Sequence, residues 1–346
     1  MKAVVKICPE KNGLALQELP IRHPREGEVL VRIAAASICG SDLHIYAWNQ
    51  WAKKLYEDIL PMPMGHEFCG TVEEVGDGVR SVRIGDRVCA ETHIPCGHCD
   101  KCRRGMGHIC DNLQLFSRRK AGCFSEYTTV PEKCLIHVPD SLSHIEGALM
   151  EPFGVSVRAV SDAEVAGKFV LIQGCGPLGL MAVMTARAMG AAKVLATDID
   201  PYRLRFAKSV GADEVIDPAD GDVPEQVRAL TGGVGVRAIC EITGSIPAIQ
   251  TGFRCMAKGG RYIFTGMPSQ KLEIDVVRDL INREVTLQGC YGRKIYETWN
   301  LAFDLLEAKR IDLSKIATHK YPLADYAQAF QTAVGRKCGK VLLINQ

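Results

Sequence analysis

No sign of charge dominates this chain, whose 42 basic and 40 acidic residues leave a net charge of +2 over 346 residues. That balance offers no electrostatic argument for a nucleic acid or a membrane surface as partner. The opening residues, Met1-Lys-Ala-Val-Val-Lys6, contain no apolar stretch of signal-peptide length and read as a first strand, so a cytoplasmic protein is expected. Internal repeats and low-complexity segments are missing, which removes the repeat architectures. The run from Phe169 to Ala186 carries no charge, but three glycines and a proline interrupt it, which argues against a membrane span. Cysteine, by contrast, is plentiful. Fifteen of them, an odd number scattered through a chain without an export signal, argue against a disulfide framework.

The length suffices for two domains with buried cores. Residues 1–153 look β-rich: Glu28–Ala34 and Cys69–Val75 alternate apolar and polar residues as half-buried strands do. From 154 to 290 the period changes, and expected strands at 169–173, 193–198, 214–217, 236–242, 260–265 and 285–290 alternate with helical patterns. Such alternation marks an α/β fold with a parallel, doubly wound sheet. Two amphipathic helices near 296–308 and 323–334 and a closing strand, Lys340–Ile344, then return to the first domain. The expected division is therefore 1–153 with 291–346, and an inserted 154–290.

The insertion begins on Phe169-Val-Leu-Ile-Gln-Gly174-Cys-Gly176-Pro177-Leu-Gly179, a strand feeding a Gly-x-Gly-x-x-Gly turn and a helix. Glycines let the backbone lie close to a pyrophosphate, and the helix N-terminus presents free N–H groups to it. A second strand, Lys193-Val-Leu-Ala-Thr-Asp198, ends in an acid placed to accept ribose hydroxyls. Strand, turn, helix, strand and acid in that order predict a dinucleotide site. Asp198 stands where the 2′-phosphate of NADP would sit, so NAD is expected; Arg203 is assigned adenine stacking or a ribose contact.

Cys96, Cys99, Cys102 and Cys110 give C-x2-C-x2-C-x7-C in a polar loop, and four thiolates satisfy a tetrahedral zinc with no position left open. Iron–sulfur ligation is the competing reading. A second constellation is dispersed. Gly65-His66-Glu67 opens the pattern G-H-E-x2-G-x5-G-x2-V; Cys39-Gly-Ser41-Asp-Leu-His44 precedes it and Glu151-Pro-Phe-Gly154 follows. Thiolate, imidazole and carboxylate can hold zinc while leaving one position exchangeable. Taken singly, Cys39 reads equally as a core thiol, His66 as a core histidine, Ser41 as a helix cap, His44 as a surface residue and Glu151 as a helix-capping acid.

Together these segments resemble the zinc-containing medium-chain alcohol dehydrogenases, along essentially the whole chain. The resemblance implies a GroES-like catalytic domain with an inserted Rossmann domain, one catalytic and one structural zinc, and a homotetramer acting on a small alcohol. It implies Cys39, His66 and Glu151 as ligands of the catalytic zinc, with Glu67 a neighbouring acid able to approach the metal. Ser41 and His44, three apart on a short helix, would share a face and carry the alcohol's proton outward by way of the cofactor ribose. Leu178 falls in the pyrophosphate turn, and Thr265-Gly266-Met267 and Cys290-Tyr291 fall beside the nicotinamide.

Four stretches resemble the L-threonine 3-dehydrogenase branch: Cys39–Ala52, Cys96–Cys99, Tyr291–Trp299 and Ala317–Lys320. That branch oxidises L-threonine to 2-amino-3-oxobutanoate with NAD. Ser41 stands where it commonly has threonine, Val155-Ser-Val157 where it usually has Asn-Ala-Val, and Leu115–Lys120 also departs from it. Sorbitol- and butanediol-type polyol dehydrogenases share the zinc, relay and NAD parts and are the alternative. A non-catalytic dinucleotide-binding or metal-sensing protein is the alternative from another class, but it would be expected to lack the Cys39, His66 and Glu151 set. Trp48, Trp51 and Trp299 could line a substrate cleft or equally be interface or core aromatics. Arg293, Lys294 and Glu297 read as a solvated helix start or as ligands for an amino acid's charges.

Overall fold

In the computed structural model, which describes residues 1–119 and 121–345, the chain divides into two compact units. The first comprises Met1–Pro152 and Leu313–Gln346, the second Phe153–Asp312. The expected return at 291 therefore falls at 313. Residues 291–312 stay with the second unit because polar contacts tie them there: Arg158 Nη1 donates to Tyr291 O (2.6 Å), Lys294 Nζ lies 3.2 Å from Asp162 Oδ1, and Arg310 Nη2 donates to Ala188 O. No helix among the described residues is long and apolar enough to cross a membrane.

The first unit is β-rich. Its longest strand, Glu28–Ser37, pairs antiparallel with Glu67–Val75, Tyr127–Pro131 and the C-terminal strand Lys340–Ile344. The C-terminal strand is buried along Lys340–Leu343, as a strand with neighbours on both edges should be. Val31, Ile33, Phe68, Phe116, Phe124 and Phe330 are among the buried residues of its core. Ser37 and Glu67 are register partners at the shared end of two strands, and the same end leads into Cys39. Pairing thus brings residues 28 positions or more apart to one corner.

In the second unit six parallel strands are ordered Glu214–Ile216, Lys193–Thr197, Phe169–Gln173, Val236–Glu241, Met256–Phe264 and Thr286–Gly289. The order reverses direction between the third and fourth of these, the crevice where such sheets bind ligands. All six expected strands are present, the fifth starting four residues early at Met256. Val170, Leu171 and Ile172 are fully buried, the continuous apolar run of a strand covered on both faces.

Trp48 and Trp299 are core residues, 5% and 1% exposed, while Trp51 is partly buried. Arg293 is not a solvated residue: it is 1% exposed, with its guanidinium 5.6 Å from the Trp299 ring centroid. Lys294 is taken up by Asp162 and by Glu297 at 3.6 Å.

Candidate active site

Helix α1 (Gly40–Ala47) begins where the strand Glu28–Ser37 ends. Cys39 is its N-cap: the thiol accepts from the N3 backbone, and Asp42 Oδ2 accepts from Cys39 N at 2.9 Å. This closed capping box sets the direction of both side chains. The cap is therefore Cys39 rather than Ser41, which lies inside the first turn. Asp42 also faces His66, with Oδ1 3.6 Å from Nδ1. An imidazole oriented by a carboxylate at one nitrogen presents the other to a metal.

Cys39, His66 and Glu67 each offer one ligand atom within 4.8 Å of the others. Glu67 is 0% exposed. Its Oε2 accepts from Ser37 Oγ and from Lys340 Nζ, whereas Oε1 is buried without a hydrogen-bond partner. An orphaned carboxylate oxygen beside a thiol and an imidazole fits a cation. Glu151 falls outside this trio. It sits inside the helix His144–Asp162 rather than capping one, its Oε1 accepts from Thr92 Oγ1 at 2.8 Å, and its charge is felt by Glu67.

Negative charge sets the titration here. Burial pushes the His66 pKa down, but Asp42 and Cys39 outweigh it and hold it well above the ordinary value. Burial raises Glu67, and Lys340 offsets part of that rise. Lys340, itself buried, is kept charged by Glu67.

Ser41 and His44 share α1. Asn49 Nδ2 lies 2.8 Å from His44 Nδ1, the Trp51 ring is 5.6 Å from the His44 ring, and burial lowers the histidine's pKa.

In the cysteine lobe, sulfur separations are 3.5 Å for Cys99–Cys102, 3.7 Å for Cys99–Cys110 and 4.0 Å for Cys96–Cys102. Four thiolates about 2.3 Å from one zinc would stand roughly 3.8 Å apart, so these spacings fit that ion. The backbone N–H of His98 lowers Cys96 to about 6, whereas burial pushes Cys102 up to about 12.

In the second unit, Gly174 has φ +94°, and a Cβ on Gly179 would stand 1.8 Å from Gly174 O. Both positions require glycine. Gly176 caps the helix Pro177–Ala188, with Pro177 in its first turn. Ser156 Oγ donates to Leu178 O, holding the turn from behind. Asp198 accepts from Cys175 N (2.7 Å) and Asp200 N (3.0 Å), and Arg203 Nη1 lies 3.9 Å from where a Cβ on Gly176 would be.

Thr265 N and Gly266 N donate to Glu241 O, and Cys290 N donates to Phe264 O. Met267 and Tyr291 are exposed. Buried Glu241, absent from the sequence reading, accepts from Thr243 N, Thr243 Oγ1 and Gly244 N, and so shapes the loop packed against Gly174. Lys340, Asp42 and Thr92 were missed as well. Of these only Asp42 had a nearby signal, its place three residues past Cys39.

Residues 25–140 match the model of the alcohol dehydrogenase GroES-like domain, and residues 177–308 match that of the zinc-binding dehydrogenases. L-Threonine 3-dehydrogenase of Bacillus subtilis (strain 168) is 40% identical over 332 residues, 96% of this chain and 95% of that protein. The enzyme of the same name from Pyrococcus abyssi is 40% identical over 345 residues, covering 99% and 98%. The structure of 2R,3R-butanediol dehydrogenase from Bacillus subtilis superposes with a TM-score of 0.90 at 28% identity, covering 100% of this chain and 99% of its own. Similarity this extensive, spanning both units and nearly every residue, makes the chain a member of the zinc-dependent medium-chain alcohol dehydrogenase family.

Proposed function

We propose that this dehydrogenase oxidises the secondary hydroxyl of L-threonine to 2-amino-3-oxobutanoate. The orphaned Glu67 Oε1 beside Cys39 and His66 carries the reading of a reactive metal centre. Identity of 40% to L-threonine 3-dehydrogenases over nearly the whole length supports the substrate. Zinc and NAD are the cofactors.

Cys39, His66 and Glu67 would hold the catalytic zinc, with Glu151 alongside as a further carboxylate, and Cys96, Cys99, Cys102 and Cys110 would hold the structural one. Zinc, when bound, lowers the pKa of the substrate hydroxyl. NAD, when bound, would supply the hydride acceptor. Asp42 orients His66, and Lys340 orients Glu67. Ser41 Oγ takes the substrate's proton, and His44, with a pKa lowered by burial, stays neutral and able to accept one near pH 7.

Gly174, Gly176, Pro177, Leu178 and Gly179 form the pyrophosphate turn; Asp198 and Arg203 serve the adenosine half. Thr265, Gly266, Met267, Cys290 and Tyr291 serve the nicotinamide half. By the family's pattern the enzyme is a cytoplasmic homotetramer.

Steady-state rates with L-threonine, sorbitol and 2,3-butanediol, each with NAD and NADP, test the proposal. The expected kcat/KM is highest for L-threonine with NAD. A polyol equalling or exceeding L-threonine would instead support the polyol reading.

A further inference from the structure

Between α1 and the next helix, α2 (Gln50–Tyr56), stand only Trp48 and Asn49. Trp48 adopts φ 51°, which turns the chain sharply between the two helices. Asn49 is the N-cap of α2, and its Oδ1 accepts from Ala52 N at 3.0 Å. A cap needs an acceptor, so this contact fixes which way round the amide sits. Its NH2 group then faces His44 Nδ1 at 2.8 Å. An amide NH2 only donates, so Nδ1 must present its lone pair.

We propose that Asn49 is a positioning residue for His44, locking the neutral imidazole in the tautomer with its lone pair on Nδ1 and its proton on Nε2. Trp51, beside the ring, restricts its rotation. Protonation at Nδ1 would set one N–H against another and end the bond, so Asn49 opposes the charged ring in the same direction as burial does. Nearby charged and titratable groups are engaged elsewhere or lie further along their helices. Asp42 on α1 faces His66. Lys53 and Lys54 lie in the last turn of α2. On the packed helix Tyr326–Val334, the Tyr326 hydroxyl donates to Leu14 O. A proton taken up at Nδ1 displaces the amide; the Nδ1 proton then passes to water, and the amide bond re-forms with the other proton still on Nε2.

This proposal rests on the reading of Ser41 and His44 as the proton path. Asn49→Asp separates the two, because aspartate caps a helix as well as asparagine but accepts from Nδ1–H. The acid limb of the kcat/KM profile should move up by about one pH unit, a roughly tenfold loss below the limb. The melting temperature should stay within about 2 °C of the parent's, since the cap is kept. Superimposable profiles for the two proteins would overturn the proposal. His44→Gln tests the path itself: a variant that keeps the parent's acid limb and kcat removes His44 from it. The tautomer is then read from 15N-histidine spectra of the holoenzyme, with His44→Gln identifying the signal. A pyridine-type Nδ1 upholds Asn49's role and a pyrrole-type Nδ1 refutes it.

Discussion

Lys340→Met removes the only side-chain cation that, among the described residues, is bonded to Glu67, in a place where water cannot substitute. Both side chains are nearly inaccessible, at 4% and 0%, and Lys340 Nζ also donates to Ile38 O at 3.1 Å, next to Cys39. Deleting one partner of a buried ion pair costs about 3–5 kcal/mol, because the remaining charge is left unpaired. For a unit of this size that corresponds to a fall in Tm of roughly 6–20 °C. Burial raises the folded pKa of Glu67 above its ordinary value of 4.5, and Lys340 holds that rise in check. An acid with a raised folded pKa loses stability as pH rises from the unfolded value through the folded one. Without Lys340 the folded pKa climbs further, so the penalty should be smaller near about pH 5 than near about pH 8. Thermal unfolding at both pH values, on parent and variant with the Glu67 site free of zinc, measures it. Glu67→Gln in the Lys340→Met background should restore about 2 kcal/mol or more, because no unpaired charge remains. A single variant within about 1 kcal/mol of the parent at the higher pH, or a double variant no better than the single, would refute the argument.

Two further outcomes are expected. Gly179→Ala places a methyl 1.8 Å from Gly174 O, so the glycine turn must open; NADH affinity, read by fluorescence titration, should fall at least about a hundredfold while zinc content is kept. The parent should hold two zinc ions per chain by elemental analysis: Cys39→Ala should lose one together with activity, whereas Cys99→Ser should lose the other and lower Tm. Full activity in Cys39→Ala would contradict the assigned centre.

Where the hydrophobic period was strong, the sequence was nearly sufficient. Phe169–Gln173 and Lys340–Ile344 lie where their apolar runs place them. The helices near 296–308 and 323–334 appear as Glu297–Glu307 and Tyr326–Val334, the latter preceded by a short 3-10 turn at Leu323–Asp325. The unit boundary near 291 was less legible because nothing local marks it: Arg158, Lys294 and Arg310 retain the following segment through partners over a hundred residues away. The site divided in the same way. Cys39, His66 and Glu67 stood in short motifs, but Lys340 meets Glu67 across 273 positions, and no spacing rule reaches that far. Thr92 on Glu151 is likewise a product of tertiary packing. Part of the Leu115–Lys120 stretch, Lys120, lies outside the described residues, whereas Ser117 shares a hydrogen bond with the Tyr56 hydroxyl at 3.1 Å.

The discontinuity of the first unit imposes an order on synthesis. Its central sheet needs the strand Lys340–Ile344, yet residues 153–312 must emerge from the ribosome first. At about 5–20 residues per second that is a delay of roughly ten to thirty seconds. Throughout it Glu67 lacks its lysine, while the glycine-turn unit, contiguous in sequence, is free to fold alone. The corner around Glu67 is thus completed only after residues 153–312 have been translated, so a nascent chain truncated before Lys340 would carry its thiols and its glycine turn but not the lysine bonded to Glu67.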